Sequence, residues 1–138
     1  MDVKKAIQAA NALLPGEPVD DGQDPRWQAI MAVGNFIETE PEAVWSFIRR
    51  WGGHQQEDLR TAIATCLLEH LLEYHFNSYF SQVEQAALAD PLFGDTFQRC
   101  WQFGQTEQPG NTERFVTLQQ RLEERDSAQS AIPPERTE

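Results

Sequence analysis

The sequence predicts an all-α chain, and three observations carry the prediction. Apolar residues recur at three- and four-residue spacing in one segment after another, and no stretch reads convincingly as a strand. Helix punctuation divides these segments at Asp24-Pro25, Pro41, Gly52-Gly53 and Asp90-Pro91. Finally, Asp24, Glu57 and Asp90, each placed to begin a helix, stand 33 residues apart, twice over.

The elements follow in order. A first helix spans about Val3 to Leu14, with Val3, Ile7, Ala10 and Leu14 on one stripe, and stops at "PGEP". After an acidic loop, Asp24 caps a second helix whose first position, Pro25, has no N–H to leave unpaired; it runs through Trp27, Ile30, Met31 and Ile37 to about Glu38. Pro41 opens a third helix, with acids at the positive end of its dipole, and Gly52-Gly53 ends it. A fourth helix, from about Asp58 to His75, is apolar on nearly every side, as a central helix must be. The polar "FNSYF" separates it, with Asn77 as cap, from a fifth helix reaching Ala89. Asp90-Pro91 starts a sixth that ends before Gly104, and a seventh covers about Glu113 to Glu124. Residues 1–124 thus form one domain. The tail at 125–138 lacks apolar periodicity, carries Pro133-Pro134 and is expected to be disordered.

A period of 33 with two helices per unit suits a helical solenoid. "EDLRTAIATCLLEHL" and, more loosely, "DPRWQAIMAVGNF" resemble the second helix of HEAT-type repeats, whose signature is an Asp before the helix, a Val-Arg pair in its first turn and a following Ala. Asp58, Leu59-Arg60 and Ala62 match; Asp24, Arg26 and Ala29 match in part, with Trp27 where the family carries Arg. "DPLFGDTFQRCW" departs further, with Phe93 at the Arg position and Asp95 at the small one. The resemblance implies a small right-handed stack of three antiparallel helix pairs plus a C-terminal capping helix. It also implies that Arg60 is structural, pairing with a carboxylate of the neighbouring repeat.

Composition bounds the function. The net charge of −11, from 22 acidic and 11 basic residues, repels phosphate backbones and argues against nucleic-acid binding. No apolar run reaches the roughly 18 residues of a membrane helix, so a soluble, cytoplasmic protein is expected. Cys66 and Cys100 fall on apolar helix faces and read as buried thiols.

The ionisable residues of the fourth helix raise the question of a site. At about 100° per residue from Leu59, Cys66 falls near 340°, His70 near 20° and Tyr74 near 60°, while Thr61, Thr65, Glu69 and Glu73 make a polar stripe between about 200° and 320°. His70 is therefore expected to face inward with Cys66, hydrogen-bonded to Glu73 or to a carbonyl. His70 and His75 are five apart and diverge, unlike the four-residue spacing of zincin helices. Glu69, His70 and Glu73 could converge on a metal only with help from another helix. No nucleophile elbow, phosphate loop or Cys-x-x-Cys is present, and neither a metal nor a cofactor is expected.

Two surface patches remain as candidates for partner binding. One is Trp45, Arg49 and Arg50 on the third helix, where Trp45 either anchors a contact beside Arg49 or packs under an adjacent helix. The other is acidic: Glu17, Asp20, Asp21 and Asp24, with Glu57 and Asp58 expected at the same end and no base among them. The leading reading is a non-enzymatic helical-repeat protein that binds a protein partner, an adaptor or a small acidic inhibitor of the immunity type, with a basic partner suited to its charge. A glycosylase-like enzyme on the same fold, a metal-dependent enzyme built on His70, Glu69 and Glu73, and a self-associating homodimer are the alternatives.

Overall fold

The computed structural model describes residues 2–17 and 24–130. They form α1 (Val3–Leu13), α2 (Pro25–Gly34), α3 (Pro41–Trp51), α4 (Glu57–Ile63), a π-helical turn (Ala64–Leu68), α5 (Glu69–Ala89), α6 (Pro91–Gln98), a 3-10 turn (Gly104–Glu107) and α7 (Pro109–Ser130). The described residues contain no strand, so the chain is all-helical.

The caps work as their chemistry requires. Asp24 and Asp90 accept the N–H groups of Arg26 and Leu92, each with proline at the first helical position. Glu57 does not cap: Gln56 takes that place in α4 without a side-chain bond, and Glu57 is the first helical residue. The 33-residue period is therefore carried by two true caps and one neighbour of a cap. Helix α2 ends at Gly34, earlier than its apolar pattern suggests, and residues 35–39 continue as turns. Met31 points outward at 56 % exposure instead of into the core.

The fourth and fifth helices of the sequence reading are one continuous path through residues 57–89. The break falls at His75, whose φ of −139° and ψ of 39° are non-helical, two residues before the expected cap. A side chain inserted into the hydrogen-bond ladder causes such kinks, and Gln105 supplies it. Its amide donates to the Tyr74 carbonyl at 2.7 Å, and its oxygen accepts the Phe76 N–H at 2.9 Å. Gly104 permits the approach: its φ is +53°, and a Cβ there would lie 2.8 Å from the Glu73 carbonyl oxygen.

This central path is buried on several sides, with Leu59, Ile63, Leu67, Leu68, Leu71, Leu72, Phe76 and Phe80 all at 1 % exposure or less. Helix α1 packs on α2 and α5 on α6, α3 packs on α4 and equally on α1, α5 and the π-turn, and α7 closes against α5 and α6 through Phe115, Leu118 and Leu122. Helix α7 passes the expected end at Glu124 and reaches Ser130, so part of the predicted disordered tail is helical. Arg125 holds it there by donating to the carbonyls of Ala87 and Leu88 at the end of α5.

Candidate functional site

Two arginines tie alternate helices together, α2 to α4 and α4 to α6. Arg26, at 4 % exposure, forks onto Asp24 and onto Asp58 of α4. Its remaining hydrogens go to the Pro15 carbonyl and to Gln56. Arg60, also buried, makes the equivalent contact one step on, 2.9 Å to Asp95 of α6, and donates to the carbonyls of His54 and Gln55. Arg99 completes the row by bridging Asp95 and Glu57 at 2.8 Å each. Burial alone would raise the Asp95 carboxyl, but bonds from Arg99 and Arg60 outweigh it and hold it below the usual carboxylate range.

This ladder corrects the acidic patch. Asp24, Asp58 and Glu57 are not a base-free edge, because Arg26 and Arg99 stand among them. Glu17 is exposed, while Asp20 and Asp21 lie outside the described residues.

The Trp45 patch is corrected as well. Trp45 is 6 % exposed and packs under α5, edge-on to Phe93 and tilted against Tyr79, with its indole N–H on Gln82 at 3.0 Å. Of the two positions open to it, the ring takes the one beneath the neighbouring helix. Arg49 and Arg50 remain exposed and lie over Trp45 and Trp51, 5.8 and 5.0 Å from the ring centres.

The π-turn produces the third correction. It adds one residue to the turn, so each residue beyond Leu68 takes the angular place an unbroken helix would give its predecessor. His70 thereby leaves the apolar face for the polar stripe and is half-exposed, while Glu69 rotates into the buried side at 6 % exposure. Tyr74 swings out by the same displacement, to 41 %. The expected bond from His70 to Glu73 forms at 2.7 Å. The Glu69 carboxylate accepts the Trp101 N–H at 2.9 Å and lies 3.5 Å from His70 Nε2. Burial pushes the Glu69 carboxyl above its ordinary range. Cys66 is half-buried and Cys100 fully buried; burial raises both thiols, that of Cys100 strongly. Glu69, His70 and Glu73 thus come together, but each carboxylate already has a partner. Among the described residues no three His, Cys, Asp or Glu side chains are arranged to hold a metal ion.

Two grooves open on either side of the π-turn and share Thr65 as a common wall. One, of about 530 Å³, runs between α2 and the turn, lined by Met31, Glu38, Cys66, His70 and Tyr74. The other, of about 720 Å³, lies toward α6 and α7 and carries Gln98, Arg99, Trp101 and Gln119. Trp101 is 72 % exposed, and Phe103 stacks on the His70 ring at 5.6 Å with 14° between planes. Among the described residues Met31, Tyr74, Trp101 and Phe103 are four of the five large apolar side chains that stand exposed, and all four gather around this turn. The surface is not legible in the sequence, because the π insertion that turns His70 and Tyr74 outward has no composition signal and the other three side chains meet them only through tertiary packing. Met31, Trp101 and Phe103 were never singled out as candidates.

The helices, ladder and grooves define an all-helical protein with a groove-bearing face, and among the described residues no helix is long and apolar enough to cross a membrane. A model of a family of unknown function, DUF6869, matches residues 16–121, and the chain belongs to that family. No curated protein and no solved structure matches the chain.

Proposed function

We propose that the chain is a non-enzymatic helical-repeat module, a HEAT-like stack, that binds a protein partner across the grooves beside the π-turn. The stack reading is supported by the packing of α1 on α2 and α5 on α6 and by the equivalent contacts Arg26–Asp58 and Arg60–Asp95, which join one unit to the next. The observation that carries the interaction reading is the gathering of exposed Met31, Tyr74, Trp101 and Phe103 around two grooves. Exposed apolar side chains scattered singly are ordinary, whereas a group of them beside a concavity is typical of a binding surface. The motif content supports a binding role over catalysis, since no nucleophile or phosphate-binding motif is present.

The test is a pull-down of partners with the purified full chain, repeated with Met31→Ala and Tyr74→Ala. Both side chains are exposed, so both variants keep their thermal stability. A discrete partner retained by the parent chain and lost with these variants supports the reading. Retention unchanged by either substitution removes the groove face from it.

A further inference from the structure

We propose that the groove between α2 and the π-turn receives a lysine or arginine side chain of the protein partner; this rests on the interaction reading above and names the chemistry of the bound residue. The groove has the two properties that a long cationic side chain needs. Its walls are apolar or aromatic where the stem would lie, at Met31 and Tyr74. Its fixed charge is negative where the head would sit.

Glu38 is exposed on the groove wall and forms no ion pair or side-chain hydrogen bond among the described residues, so its carboxylate is free to accept one. Glu73, the residue before Tyr74, is already bonded to His70 at 2.7 Å, so Glu38 is the acceptor for the head, and the charges of Glu73 and Glu38 both push the Tyr74 phenol above its ordinary range. A cation entering the groove meets that same field with the opposite sign. No Lys or Arg lines the groove among the described residues. Arg99, in the neighbouring groove, is held by Asp95 and Glu57 and does not compete.

An arginine is the better occupant of the two. Its planar fork suits a carboxylate in bidentate contact, and its flat face stacks on an aromatic ring such as Tyr74. The overall charge of −11 also favours approach of a basic segment.

The experiment titrates the isotope-labelled full chain with the peptide acetyl-Gly-Arg-Gly-Arg-Gly-amide and with its citrulline counterpart, which has the same shape and no charge. Shifts of main-chain amides centred on Glu38, Cys66, His70 and Tyr74, seen with arginine and absent with citrulline, support the proposal. Glu38→Gln, on an exposed turn, is expected to weaken the arginine peptide about fivefold, and the double variant with Glu73→Gln more than about tenfold. Equal shifts with citrulline, or shifts spread over the acidic surface without a centre, overturn it. A partner whose capture depends on Met31 and Tyr74 but not on Glu38 or Glu73 also overturns it, while leaving the interaction reading in place.

Discussion

Glu69 reaches from the first position of α5 to the main-chain N–H of Trp101, 2.9 Å away and 32 residues further along the chain. The contact fixes the segment that presents Trp101 and Phe103 to the helix that presents His70 and Tyr74. Removing it takes the partner from a part-buried N–H and empties the buried place of the Glu69 side chain. Glu69→Ala is expected to cost about 1–3 kcal/mol in chemical denaturation. The pH dependence has a definite sign. The carboxyl is raised in the folded chain, so its contribution is full below the ordinary Glu value and is lost as pH climbs through the raised one. Glu69→Gln should flatten that limb of the stability curve, and an unchanged slope would show that Glu69 does not cause it.

Asp95 works in the opposite direction. Its carboxyl is lowered by Arg99 and Arg60, so its stabilisation is present above the ordinary Asp value and disappears as pH falls through the lowered one. The carboxylate is about one-third exposed, so solvent discounts the pair, and Asp95→Asn is expected to cost only about 1 kcal/mol at neutral pH. Arg26→Ala should cost more, about 3 kcal/mol, because it leaves Asp24 and Asp58 facing one another near a buried position. Arg26→Lys should recover little of that, since a single ammonium cannot reproduce the fork. Urea melts between pH 3 and pH 7 measure all three.

Gly104 and Gln105 are expected to set the kink at His75. Gly104→Ala forces a Cβ against the Glu73 carbonyl at positive φ and should destabilise the fold by about 1–3 kcal/mol. Gln105→Ala frees the Tyr74 carbonyl and the Phe76 N–H, and faster amide hydrogen exchange at Phe76 than in the parent chain is the expected readout.

Trp45→Ala separates a core role from an interface role. As a core residue holding Gln82 and packed on Phe93, Trp45 should cost about 3–5 kcal/mol when truncated. A variant that keeps its melting temperature and loses only partner binding would return Trp45 to the surface.

Much of the helical architecture was legible in the sequence because it is written in short-range chemistry. Asp24-Pro25, Pro41 and Asp90-Pro91 start helices where they stand, and a carboxylate partner for Arg60, implied by the HEAT-type resemblance, is present as Asp95 of α6. The grooves were not legible, because they depend on one extra residue in the turn at Ala64–Leu68. Nothing in "ATCLL" distinguishes a π-turn from an α-turn, and the turn's close neighbour lies far off in sequence: Gly34 of α2 approaches the Cys66 carbonyl closely enough that a Cβ would lie 3.3 Å from it. Trp45 was left between two positions for a related reason: its shoulder position is ambiguous until α5 is laid over it. The ladder arginine of the second helix was likewise assigned loosely, because Arg26 stands one residue before the expected position.

The most direct test of the groove face is site-specific crosslinking in cells, with a photoreactive amino acid placed at Met31 in one chain and at Arg50 in another. Both positions are exposed and lie on different elements, α2 and α3. A discrete adduct from position 31, absent from position 50 and lost on adding Tyr74→Ala, is the predicted result. An adduct from position 50 alone, or none that depends on Tyr74, would contradict the assignment of the partner surface to the π-turn.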